Sequence, residues 1–197
     1  DNNPQSQPKK RSGKQGKKPE KAWYLVTNHV NLLNMLAAGL IMKPEGYTRS
    51  YYKDSLDDFP GFLPLFFDVV PVKAIELSTS EAEFLSPCLL EIKLSELKGQ
   101  VIALSRSGSW RNLSFPDELD GTVTTVFVPA SLPVSWIEQI IFKTKDDKEK
   151  FEKLAKNSSN ISYDSFMGVE KVQKYQSNHP GLVWPPQKQA DWPESKN

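Results

Sequence analysis

Thr27, Asn28, His29 and Asn31 bring a hydroxyl, two carboxamides and an imidazole within five consecutive positions. Such a set suits hydrogen bonding to a polar ligand better than it suits bond cleavage, because it holds no carboxylate and no activated nucleophile. The following loop, residues 42–61, adds Arg49, Tyr51 and Tyr52. A long loop with its own aromatics packs over something, and this one is expected to close one side of a pocket at the polar corner. A second candidate is the stretch 105–112, SRSGSWRN. Its small residues let backbone approach a ligand, and Arg106, Trp110 and Arg111 offer what a phosphate or single-stranded nucleic acid requires. A plain surface loop has the same composition, so both readings stand. A third is the arm carrying Lys9, Lys10 and Arg11, where each cation would gain from counterion release on a nucleic acid, or serve only to keep a tail in solution.

Other chemistries lack their residues. His29 and His179 lie in unrelated contexts, and no His, Cys and carboxylate set has metal-ligand spacing, so no metal is expected. No glycine-rich phosphate loop occurs, and no serine sits in a nucleophile elbow. Asp57-Asp58 and the Glu81, Glu83 pair read as solvated turns.

The elements that must position the first candidate lie on either side of it. Residues 23–27, WYLVT, are aromatic and β-branched and predict a strand. From His29 onward Leu32, Leu33, Leu36 and Leu40 recur at helical spacing, with Thr27 or Asn28 as the cap and Gly39 as the left-handed terminator. Further strands are predicted at 62–68, where Pro64 implies an edge or a bulge, and at 69–77. The alternation of 88–94, CLLEIKL, predicts a strand with one wet face, joined as a hairpin to 101–105. The β-branched run 122–128 predicts the firmest strand, followed by a helical turn at 134–136, a strand at 138–143 and a helix capped by Thr144 or Asp146.

The chain has 197 residues, enough for one ordinary core. Its 38% hydrophobic fraction is low and its 15 prolines are many, and both features concentrate at the ends. Residues 1–21 are basic, rich in Pro, Gly, Gln and Ser, and expected to be disordered. Residues 22–176 are read as one α+β domain with a bent antiparallel or mixed sheet and few helices, including a marginal element near 166–175. Residues 177–197, with Trp184 and Trp192 among prolines, form a C-terminal tail. A net charge of +1 gives no argument from overall basicity. A single cysteine, Cys88, in an apolar run fits a reducing, cytoplasmic setting. No apolar run has the length of a membrane span, so no membrane partner is expected.

Three stretches together carry a family resemblance. Thr27-x-x-x-Asn31-Leu32, then Met35-Leu36-x-x-Gly39-Leu40-Ile41, resembles the N-terminal signature of ADP-ribosyltransferase-like proteins, in particular the DarT-type enzymes that modify DNA. Residues 61–67, GFLPLFF, look like that family's Val-Pro-Phe-Tyr-Phe strand. Thr124-Thr125-Val126-Phe127-Val128-Pro129, then Leu132-Pro133-x-x-Trp136-Ile137, is similar to its late strand and Val-Pro-x-x-x-Ile segment. The resemblance implies NAD as cofactor, in a cleft lined by Thr27, Asn28, His29, Asn31, Tyr51 and Tyr52, with Arg49 at the cofactor phosphates, and a bacterial toxin or defence setting. The chain departs from the family at two places. The ribose-positioning His corresponds to Asn28, with His29 one residue late, and the catalytic Glu corresponds to Thr125. A hydroxyl cannot supply the negative charge that stabilises an oxocarbenium-like transition state. The resemblance therefore implies a diverged or degenerate transferase-like domain acting on or binding DNA. The alternative is a non-catalytic module of a larger assembly that binds nucleic acid or protein.

Overall fold

The computed structural model describes residues 22–43 and 59–157. Within them the order is β1 (Trp23–Asn28), α1 (His29–Ala38), β2 (Leu40–Ile41), β3 (Phe62–Phe67), α2 (Val72–Ser78), β4 (Pro87–Ile92), β5 (Gly99–Ser105), β6 (Trp110–Phe115), β7 (Val123–Pro129), β8 (Leu132–Pro133), a 3-10 turn (Val134–Trp136), β9 (Ile137–Phe142) and α3 (Lys145–Lys156). Seven strands form one sheet in the order β6-β5-β7-β3-β1-β4-β9, with every pairing antiparallel; β2 and β8 make a separate two-stranded ribbon. The α+β class and the antiparallel sheet follow the sequence reading. The basic segment 1–21, the element near 166–175 and the tail 177–197 lie outside the described residues, as do Arg49, Tyr51 and Tyr52.

Both faces of the sheet are covered. On one, Leu32, Met35 and Leu36 of α1 and Phe151 and Ala155 of α3 pack against Leu25, Leu65, Leu90, Val126 and Ile140. Each large side chain removed from water there contributes about 2 kcal/mol before entropy is counted. On the other, α2 presents Ala74, with Ile75 beside it, to Val26, Phe66, Leu89, Phe127 and Ile141.

Three expectations are corrected. Residues 69–77 do not form a strand: α2 begins after Pro71, whose φ of −64° already suits a helix entry, and Ala74 and Ser78 are buried one turn apart. The loose alternation of 69–77 was equally compatible with that period. β4 does not pair with β5. It lies between β1 and β9, while β5 pairs with β6 around the turn at Gly108, whose φ is +84°. Nor does β4 have a wet face along its length, since Leu89 is fully buried beneath the α2 side and Pro87 and Glu91 are only half-exposed.

β1 and β3 pair only at Trp23↔Phe67 and Tyr24↔Phe66. β1 pairs with β4 along its whole length, and β3 with β7 from Phe62 to Phe66. The sheet is thus two halves joined at one end and parted at the other. Pro64 lies in the parted stretch, where a residue without an N–H leaves a ladder least able to form. The edge position expected from Pro64 is not observed, since β3 lies inside the sheet between β7 and β1.

Candidate functional site

The β1–α1 corner borders the parted end. Asn28 is the N-cap of α1, extended at φ −120° and ψ 166°. Its Oδ1 accepts from the Val30 amide at 3.1 Å and the Asn31 amide at 2.9 Å, and its Nδ2 donates to the Ser78 carbonyl at the end of α2, at 2.9 Å. One side chain therefore satisfies two orphan amides of α1 and ties both helices to the strand. Sequence reading named Thr27 or Asn28 as the cap; the structure selects Asn28. Gly39 closes α1 with φ +73° and donates to the Leu36 carbonyl.

His29 faces the opposite side of β1. Its backbone amide donates to the Ser86 carbonyl at 3.0 Å, and the Ser86 amide donates to its Nδ1 at 3.0 Å. An acceptor Nδ1 places the proton of the neutral ring on Nε2. Burial holds the imidazole below its ordinary range, the Lys150 ammonium adds to that effect, and the Asp147 carboxylate opposes it. Lys150 itself donates to Ser86 Oγ at 3.1 Å. Since Ser86 leads into β4, on the far side of β1 from β3, His29 is directed away from the parted strands.

Thr27, Asn28, His29 and Asn31 are all buried, none more than 3% exposed. The first three amides of α1 are each taken, by Ser86 O and by Asn28 Oδ1, so the helix start presents no free row of donors for a phosphate. Lys43 donates from Nζ to the Phe59 carbonyl at 3.1 Å.

Thr125 lies on β7, opposite Phe66 on one side and Leu104 on the other, and is 3% exposed. Its hydroxyl has no hydrogen-bond partner among the described residues. No carboxylate occurs on β1, β3 or β7.

The second candidate does not converge. Trp110 packs on Phe59 and Phe127, with ring centroids 5.2 and 5.3 Å apart, and so covers the α2 face of the sheet. Leu113 and Phe115, which share the parity of Arg111, belong to the opposite face. The Arg111 guanidinium donates to Asp120 at 2.6 Å, and Thr122 also donates to that carboxylate through its amide and hydroxyl. These bonds hold the Asp120 carboxyl well below the usual range. Arg106 is exposed in the hairpin turn. Lys9, Lys10 and Arg11 lie outside the described residues. Among the described residues no group of His, Cys and carboxylates could hold a metal.

Ser78, Ser86 and Lys150 were not singled out from sequence. They reach the corner across separations of 50 to 64 residues, which no local pattern encodes.

No protein-family model matches the chain, and no curated protein matches it. Among solved structures the chain is similar to Thermus sp. 2.9 DarT in complex with carba-NAD+, at 17% identity over 74% of this chain and 93% of that one, with a TM-score of 0.49. It is similar to the same protein in complex with ADP-ribosylated ssDNA, at 14% identity over 73% and 91%, with a TM-score of 0.48. A third is Thermosipho africanus DarTG in complex with ADP-ribose, at 14% identity over 71% of this chain and 48% of that one, with a TM-score of 0.47. At these identities and TM-scores the likeness assigns neither cofactor nor activity to this chain.

Proposed function

We propose that this chain is a DarT-type ADP-ribosyltransferase-like domain that has kept a place for NAD and lost the transfer chemistry, in a cytoplasmic bacterial toxin or defence setting. The parted sheet carries this reading. Where β1 leaves β3, the two strands no longer pair. A carboxamide, with a donor and an acceptor, suits such an edge, and NAD supplies one along with an activated glycosidic bond. Thr125, at the position matching the family's catalytic Glu, lies outside that parted stretch, opposite Phe66 where β1 and β3 still pair, and its buried hydroxyl is unpartnered among the described residues. Breaking the glycosidic bond needs a negative charge at the developing oxocarbenium, and β1, β3 and β7 offer none. In this reading Asn28 and His29 hold the corner in shape, while Arg49, Tyr51 and Tyr52 supply cofactor contacts.

The test uses labelled NAD with single-stranded and duplex DNA. The expected result is no label on DNA or protein, and a rise in melting temperature with NAD. Separately, Thr125→Val removes a buried hydroxyl unpartnered among the described residues at constant shape, and should be as stable as the wild type or about 1 kcal/mol more stable. Transfer of label would refute the loss of chemistry. No thermal shift in the wild type would remove the cofactor.

The second reading is a non-catalytic module of a larger assembly that meets nucleic acid or protein. The internal satisfaction of Asn28, His29 and the first α1 amides favours it. Its nucleic-acid contacts would fall to Lys9, Lys10, Arg11 and the exposed Arg106, with Arg111 only partly available. Removal of residues 1–21 together with Arg106→Ala is expected to abolish binding to single-stranded DNA; binding that persists would place the surface elsewhere.

A further inference from the structure

We propose that His29, Ser86 and Lys150 form a pH-sensitive fastening that, on mild acidification, loosens α3 at Lys150 and the start of α1 from the segment leading into β4. The geometry is a reciprocal pair. His29 and Ser86 exchange a backbone bond, His29 N–H to Ser86 O at 3.0 Å, and a ring bond, Ser86 N–H to Nδ1 at 3.0 Å. The pair continues the β1–β4 ladder one residue past Asn28↔Pro87. Ser86 is 3% exposed, and its Oγ accepts from Lys150 Nζ at 3.1 Å, so a single residue is the meeting point of α1, β4 and α3.

Protonation of the ring is incompatible with this arrangement. An imidazolium carries hydrogen on both nitrogens, so Nδ1–H would face the Ser86 N–H, donor against donor, with both groups buried. The new charge would also lie near the Lys150 ammonium, itself held in place by Ser86. Two charged groups act on the ring, both from α3: Lys150 against protonation and Asp147 in favour of it. Glu81 and Glu83, in the segment before β4, exert no comparable effect. Because burial and Lys150 hold the folded ring below its ordinary range, the unfolded chain takes up the proton first. The fastening is therefore intact above the unfolded value of about 6.5 and is lost progressively as pH falls below it.

Amide exchange of the full chain, read residue by residue between about pH 8 and about pH 5, tests this directly. After correction for intrinsic rates, the Ser86 amide is expected to lose about tenfold or more of its protection relative to core amides of β5 and β7. His29→Asn, which keeps an acceptor near the Nδ1 position but does not titrate, should abolish the pH response. Lys150→Gln, which retains a donor for Ser86 Oγ without the charge, should move its midpoint upward. Equal pH dependence in wild type and His29→Asn would overturn the proposal. Should His29→Asn fail to fold, the wild-type ring resonances decide: titration of His29 without a matching change at the Ser86 amide would overturn it equally.

Discussion

The β1–α1 corner and the β5–β6 hairpin are both written in polar residues, yet they use them oppositely. At the corner Asn28, with its carboxamide bonded at both ends, is fully buried and joins three elements. In the hairpin and the turn after it, the side chains of Arg111, Asp120 and Thr122 bond to one another, and all three residues are exposed. Burial turns each hydrogen bond of the first region into a requirement, because breaking it leaves a polar group out of water. In the second, water replaces whatever is removed. Polar composition therefore marks neither region as a ligand site; solvation decides what each can do.

The comparison is broken most forcefully at Thr125, a buried polar position whose hydroxyl has no partner to lose among the described residues. Thr125→Glu would set a carboxylate between Phe66 and Leu104 on the face that also carries Phe127. The expected cost is about 3 kcal/mol or more at neutral pH. Burial would raise the new carboxyl above its unfolded value of about 4.3, so the deficit against wild type should be smallest near pH 4 and grow as pH rises. Thermal unfolding across that range checks it. A variant as stable as wild type at pH 7, or one that gains transfer activity, would show that Thr125 faces an open, wet site.

Asn28→Ala comes next. It uncaps the Val30 and Asn31 amides and strips the buried Ser78 carbonyl of its donor, an expected loss of about 2–3 kcal/mol. The melting temperature should fall by roughly 6–10 °C. Asn28→Asp sharpens the point, since it keeps the cap acceptor but turns a carboxylate toward the Ser78 carbonyl. It should recover the α1 amides without recovering the tie to α2, and fall between wild type and alanine. An Asn28→Ala protein as stable as wild type would place the corner in the same class as the hairpin.

The local half of this architecture was legible in sequence. The change of period after Thr27, the cap, the Gly39 terminator and the β-branched run of β7 each state a single conformation in a few adjacent residues. The α2 segment was not legible because Val72, Ala74, Ile75 and Leu77 fit a two-residue period as well as a helical one, and only its seating on Val26 and Leu89 decides between them. Strand pairing was least legible. Lys98-Gly99-Gln100 offered β4 a hairpin that it does not make, because its apolar residues on both faces are better buried between β1 and β9 than at an edge. In the candidate site the residue types were visible while their partners were not. Ser78 and Ser86 are unremarkable serines until the fold brings them to Asn28 and His29.

The smallest effect is expected in the hairpin. Arg111 and Asp120 are close, at 2.6 Å, and nearly half of each side chain is exposed. An ion pair at such a surface is screened by salt and opposed by the entropy of holding a long side chain. Arg111→Ala should leave the melting temperature within measurement error. Asp120 keeps its bonds to the Thr122 amide and hydroxyl, so its carboxyl should rise toward the ordinary range only part of the way. Titration of the Asp120 carboxyl carbon in wild type and variant separates the two contributions. A full return to the ordinary value would assign the shift to Arg111 alone and make the pair a stronger, less solvated contact than its exposure implies. A partial return would keep the hairpin a place where charges are available to a partner at little cost to the fold, the opposite of the corner two strands beyond β7.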